Sequence, residues 1–238
     1  MTFTRDLIQS GGIARMLAES APGLVVLTDA ERATSLASTL ATRPPNQQGV
    51  WLFAYGSLIW NPALDYTERR FARIHGWHRS FCLSTIAGRG TPEHPGLVLG
   101  LDRGGACTGA AFHIAEPYVA QELDLLWRRE MLSGSYRPRW VPVRGQGGIP
   151  FAQAIAFTIR REGPYYCPRM PQAEFVHRLA TTAGALGSSK DYLLKTRDGL
   201  RSLGIKDRYL EKLACQVLAH TDRGPTPSAP VAGGPCTS

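Results

Sequence analysis

The amino-acid sequence predicts an α+β fold in which short strands form an antiparallel barrel or curled sheet and helices close the chain. Three observations carry this. Short apolar runs punctuated by glycine and proline fill residues 50–114 and 139–159. A single helical stretch, beginning at Pro117, interrupts them. From residue 172 onward the pattern is helical, and the regular strand-helix alternation of a parallel sheet is missing.

Residues 1–49 read as a helical N-terminal extension and linker. Leu7, Ile8, Met16 and Leu17 suggest short amphipathic pieces broken at Gly11-Gly12. A second helix is expected from Asp29 to Thr42, with Asp29 as N-cap and Arg43-Pro44-Pro45 as the stop. Val50 to Tyr55 is an apolar and aromatic run ending at Gly56, the pattern of a buried strand feeding a turn. Arg70 to Ser84 alternates unevenly around Gly76, so it is two strands or one bent strand. A glycine- and proline-rich loop spans Gly88 to Gly96. Leu97–Leu101 and Cys107–Ile114 follow as strands joined by a turn at Asp102-Arg103-Gly104-Gly105. The central helix starts at Pro117, a residue suited to the first helical position, and runs to about Leu132. Arg139–Arg144 and Phe151–Ile159 pair across Gly145–Pro150, and helices near 172–185, 189–203 and 207–219 complete the domain. Residues 220–238, rich in Pro, Gly, Ser and Thr, are expected to be a disordered tail.

Composition narrows the function. A chain of 238 residues with 43% hydrophobic and 19% charged residues is globular and long enough for a real core. No stretch approaches the ~20 apolar residues of a membrane span, and no secretory signal is read at the N-terminus. The five cysteines are scattered without a CxxC pair, so reduced thiols in a cytoplasmic protein are expected. The net charge of +8 comes almost entirely from dispersed arginines. With neither a basic run nor an RNA-binding aromatic motif, it suits a small anionic ligand better than nucleic acid.

Two features carry chemistry. The first is Tyr55-Gly56-Ser57-Leu58-Ile59-Trp60, where a strand broken at Gly56 would present backbone N–H groups to a cavity, able to hold a carboxylate or an oxyanion. By spacing alone such a turn after a strand is structural more often than functional. The second is Glu130. On a helix from Pro117, Leu123, Leu126, Trp127 and Glu130 share one face, while Arg128 and Arg129 are expected to point elsewhere. A carboxylate in an apolar stripe is desolvated, which raises its pKa toward the range of a general acid-base. The alternatives are a buried Glu paired with an Arg, or a Glu at a frayed helix end near Gly134. His75 and His78, three apart on a strand, face opposite sides and suggest no shared metal. No GxSxG elbow and no phosphate loop exists.

Taken together, the run from Val50 to Pro62, then Gly76-Trp77-His78-Arg79-Ser80-Phe81-Cys82-Leu83, Arg89-Gly90-Thr91-Pro92 and Pro95-Gly96-Leu97-Val98 resembles bacterial ChaC-type glutathione-specific γ-glutamylcyclotransferases. The likeness continues through Trp127-Arg128-Arg129-Glu130-Met131, Gly134-Ser135-Tyr136 and Trp140-Val141-Pro142-Val143 to Lys190-Asp191-Tyr192-Leu193 and Gly204-Ile205. It implies a small antiparallel or mixed β-barrel flanked by helices over residues 50–219, with no metal and no organic cofactor. It also implies that Ala54, Tyr55, Gly56, Ser57, Leu58 and Ile59 bind the γ-glutamyl group, that Glu130 accepts a proton, and that Tyr136 lies near the substrate. The reaction implied is cyclisation of the γ-glutamyl group of glutathione, giving 5-oxoproline and cysteinylglycine. A cyclotransferase acting on other γ-glutamyl amino acids or amines is the near alternative, and a non-catalytic basic binding module the distant one. Neither nucleic acid nor membrane is expected as a partner; the sequence leaves the oligomeric state open.

Overall fold

The strand β1 (Val50–Ala54) is buried along its whole length, because it closes a barrel and has protein on both faces. A computed structural model of the chain describes residues 3–222. Strands β2 (Glu68–Thr85), β3 (Gly96–Ile114), β4 (Tyr136–Arg144) and β5 (Pro150–Ile159) complete the barrel in the order β1-β3-β2-β4-β5. Neighbours in this order are antiparallel except β5 and β1, whose parallel pairing at Trp51–Ala154 and Leu52–Ile155 closes the ring, and β3 adds a parallel pairing to β5 at Leu101–Thr158. A mixed barrel is thus what forms.

One sequence expectation is resolved here and another changes. Residues 70–84 belong to one bent strand, with a register shift between His75 and Trp77 around Gly76, whose φ is +80°. The turn expected at Asp102–Gly105 does not reverse the chain. β3 runs through it against β2, with Trp77 opposite Arg103 and His75 opposite Ala106. Gly104 and Gly105, at φ +97° and +66°, form a bulge in a continuous strand. A long antiparallel partner on one side holds the strand straight where local turn chemistry alone would fold it back.

Helices α1 (Arg5–Gln9), α2 (Gly12–Ser20) and α3 (Asp29–Ala41) precede the barrel. The N-cap of α3 is Thr28, not Asp29: its hydroxyl accepts from the Glu31 N–H, and Glu31 returns a bond to the Thr28 N–H, a reciprocal box that Asp29 cannot make. After β1 comes the one-turn α4 (Ser57–Trp60). The central helix α5 (Val119–Glu130) starts after a 3-10 turn at Glu116–Tyr118 and ends at Glu130, two residues short of expectation. The helix α6 (Gln172–Thr181) also stops early, at a two-rung hairpin of β6 (Ala183–Gly184) and β7 (Gly187–Ser188). Then come α7 (Ser189–Ser202) and α8 (Arg208–Asp222). The expected tail lies outside the described residues apart from 220–222, which belong to α8.

One face of α5 lays Leu123, Leu126 and Trp127 on the barrel, where the Trp127 ring meets Phe157 edge-on at 5.2 Å. A second face of α5 is also covered. Leu125 packs with Ile8, Ile13 and Leu17, and Arg5 donates two bonds, 2.6 and 2.7 Å, to the fully buried Glu122. Glu122 also accepts from the Asp65 N–H. The Arg5→Ala substitution leaves that carboxylate buried without its cation, so it is expected to cost about 3 kcal/mol in urea unfolding. A loss below about 1 kcal/mol would reduce the pair to an ordinary surface ion pair.

Candidate active site

β1 leaves its ladder at Ala54, the last residue paired to β3, and the chain turns through Tyr55 and Gly56 into α4. The Tyr55 hydroxyl is buried and donates to the Phe157 carbonyl at 2.9 Å. Gly56 is required by space: a Cβ there would lie 2.8 Å from the Tyr192 hydroxyl oxygen. The N–H groups of Ser57 and Leu58 fall in the first turn of a helix, where the backbone supplies no acceptor.

Ser57 opens onto a cavity of about 170 Å³ whose other polar walls include Arg89, Arg129, Glu130, Tyr136 and Tyr192. Glu130 reaches it because the apolar stripe of α5 ends there. Its carboxylate is 13% exposed and receives the Arg129 Nε at 2.9 Å. Burial raises its pKa above that of a solvated carboxylate, and the Arg129 charge offsets part of that rise. Burial likewise lifts the Tyr136 and Tyr192 hydroxyls, the latter to about 12, and the Glu130 charge adds to both. Tyr136 donates to the Leu99 carbonyl at 2.9 Å.

Arg129 does not point elsewhere, as expected from the helix wheel. It donates to the Asn61 and Pro62 carbonyls at 2.6 and 3.1 Å and to Ser57 Oγ at 3.0 Å, besides Glu130. The wheel assumed one buried face; α1 and α2 bury a second, running Glu122, Leu125, Arg129, and so turn Arg129 inward. The alternative of a Glu paired with an Arg is therefore realised, but inside the cavity and beside the loop.

Arg89 holds a different position. It donates to the Ser188 carbonyl at 3.1 Å and lies over the Tyr192 ring at 5.2 Å, and Asp191 acts on it through charge without forming an ion pair. No carboxylate among the described residues neutralises it directly, so it is the cavity's open cation. Of the residues expected at the site, Ser57, Glu130 and Tyr136 line the cavity, whereas Ala54, Tyr55, Leu58 and Ile59 are buried around it and Gly56 backs against Tyr192. Sequence reasoning missed Arg89, Arg129 and Tyr192, although each stands inside a quoted motif. It also missed Phe3 and Leu17, which close the cavity from the N-terminal segment and carry no local signal of a site. A larger concavity of about 1120 Å³ opens beside Arg79, Asp102 and Asp207 and contains none of the groups just described. Among the described residues, no cluster of three or more His, Cys, Asp or Glu could hold a metal, and no helix is long and apolar enough to cross a membrane.

Comparison with known proteins identifies the family. Residues 50–220 match the family model described as ChaC-like protein, a span that holds the Tyr55 loop, Arg89, Glu130, Tyr136 and Tyr192. The chain is 42% identical over 187 residues to the glutathione-specific γ-glutamylcyclotransferase of Escherichia coli strain K12, covering 79% of this chain and 80% of that one. It is 30% identical over 190 residues to the enzyme of the same name from Schizosaccharomyces pombe, covering 71% and 92%. The crystal structure of a yeast γ-glutamyl cyclotransferase specific to glutathione superposes with a TM-score of 0.66 at 22% identity, over 73% of this chain and 97% of that one, and shares its fold. By sequence along nearly the whole barrel and its helices, this chain belongs to the ChaC-like protein family.

Proposed function

We propose that the chain cleaves glutathione by cyclising its γ-glutamyl group, releasing 5-oxoproline and cysteinylglycine. The observation that supports this best is the placement of Glu130, a desolvated carboxylate at the end of α5, in one small cavity with Ser57 and the unneutralised Arg89.

The substrate's α-amino group is its own nucleophile. It attacks the γ-carbonyl carbon, the five-membered ring closes, and the bond to the cysteine nitrogen breaks. No water and no metal enters the balance. The nucleophile is intramolecular, so the protein's main task is to hold a flexible chain folded on itself, and a cavity of about 170 Å³ suits that task. At neutral pH the amine arrives as an ammonium. Glu130 takes its proton and returns one to the departing cysteine nitrogen. Arg129, held by four partners, favours the anionic form of Glu130 against the opposing effect of burial. Arg89 is free to receive a substrate carboxylate, and the amides after Gly56 can receive a second carboxylate or the oxyanion. Tyr136 and Tyr192, both held neutral, offer hydroxyls to the same space. Reduced glutathione is the cytosolic thiol buffer, so a cytoplasmic working place goes with this reading.

Incubation of the purified protein with reduced glutathione is expected to yield equal amounts of 5-oxoproline and cysteinylglycine. With γ-glutamylalanine, turnover should fall by roughly tenfold or more, one step of about 1.4 kcal/mol for lost leaving-group contacts. Comparable rates on both would widen the substrate to γ-glutamyl compounds in general. No 5-oxoproline from either would end the proposal.

A further inference from the structure

We propose that Arg79 is a positioning residue that sets the orientation of the loop after β1, and with it the amides that face the substrate. The inference rests on the function proposed above, but its geometry lies outside the cavity. Arg79 is on β2 opposite Leu101, and its side chain is 2% exposed. It does not line the substrate cavity. Its guanidinium fork instead takes three partners: Nε donates to the Tyr55 carbonyl at 2.6 Å, Nη2 to the Thr108 carbonyl at 2.7 Å, and Nη1 to the Asp207 carboxylate.

The Tyr55 carbonyl is the one that needs help. β1 pairs with β3 only as far as Ala54–Ala110, so the next carbonyl has no ladder partner. A buried carbonyl left unpaired costs free energy and would be free to turn. Arg79 supplies the missing donor and anchors it to Thr108, further along β3. In a trans peptide, C=O and N–H point in opposite directions. Holding the Tyr55 carbonyl against the guanidinium therefore fixes the plane of the Tyr55–Gly56 peptide, with the Gly56 N–H aimed away from Arg79, and so sets the direction in which the chain enters α4 with its Ser57 and Leu58 N–H groups. One bond on the far side of the peptide sets the direction of the near side.

Asp207 extends the clamp. One of its oxygens takes Arg79, while the other accepts the Leu210 N–H at 3.1 Å and caps α8. A single carboxylate thus ties the start of α8 to the substrate loop. The planar fork is what allows three acceptors to be held at once, and lysine cannot reproduce it.

The test pairs steady-state kinetics on glutathione with amide hydrogen-deuterium exchange, in wild type, Arg79→Met, Arg79→Lys and Asp207→Asn. For Arg79→Met, kcat is expected to fall about 10²-fold, the cost of a misplacement near 1 Å. Exchange should quicken at residues 55–59 while peptides from α5 and the rest of the barrel keep wild-type rates. Arg79→Lys and Asp207→Asn should fall between, and they carry the test if Arg79→Met does not fold. Wild-type exchange at 55–59 in all three variants would overturn the proposal. So would exchange that rises equally throughout the molecule, which marks a residue serving stability alone. If wild type itself leaves glutathione untouched, the proposed reaction fails, and the exchange comparison still decides whether Arg79 holds the loop.

Discussion

Glu130→Gln is expected to lower kcat on glutathione by 10²-fold to about 10⁴-fold while the protein stays folded. The amide is nearly isosteric and can still accept from Arg129 Nε, and Arg129 keeps its bonds to Asn61, Pro62 and Ser57. Thermal unfolding and circular dichroism should therefore change little. What disappears is a group able to take a proton from the ammonium. Wild-type turnover in this variant would remove Glu130 from the reaction. The same residue sets a pH dependence. Its pKa is raised by burial, and it must be anionic to act, so kcat/KM should rise with pH through a limb lying above the ordinary carboxylate range. In Glu130→Gln the residual activity should lose that limb.

Gly56→Ala should cost kcat/KM about 10-fold to 10²-fold. The new carbon would sit 2.8 Å from the Tyr192 hydroxyl oxygen, inside van der Waals contact. Tyr192 is buried, and its ring is packed edge-on against Trp60 and Phe81, so it cannot swing away cheaply. The loop must move instead, carrying the Ser57 and Leu58 amides with it. Tyr192→Phe removes the clashing atom. In that background the penalty of Gly56→Ala should shrink to a few-fold, a coupling that a double-mutant cycle reads directly. An unchanged penalty would mean that Gly56 is needed for its backbone freedom and not for this contact.

Much of the barrel could be read along the chain because its signals are local. An apolar run stopped by Gly56 is a buried strand wherever it pairs, and the spacing of Leu123, Leu126, Trp127 and Glu130 puts those side chains on one helix face in any context. Glu130 was legible for that reason. The loop at Tyr55–Ile59 could be placed after a strand, but its chemistry came from likeness to a family. Turn chemistry misled at Gly104-Gly105, where glycines suited to reversing a chain are held in a bulge by a partner strand no local rule contains.

By itself, then, the sequence determined the α+β class, the run of strands and helices, the inward carboxylate and the family. Tertiary structure decided the rest of the site. Arg129 turns inward because α1 and α2, more than a hundred residues away, bury a second face of α5. Arg89, Tyr192 and Phe3 come from three separate segments that meet only when the barrel closes and its flanking helices dock. Arg79, on β2, reaches the Tyr55 carbonyl past the end of β1 because both strands pair with β3, which lies between them in the barrel. The physical reason is one of range. Periodicity reports which way a side chain leaves its own backbone, whereas a binding site is made where unrelated backbones bring their side chains to the same few ångströms.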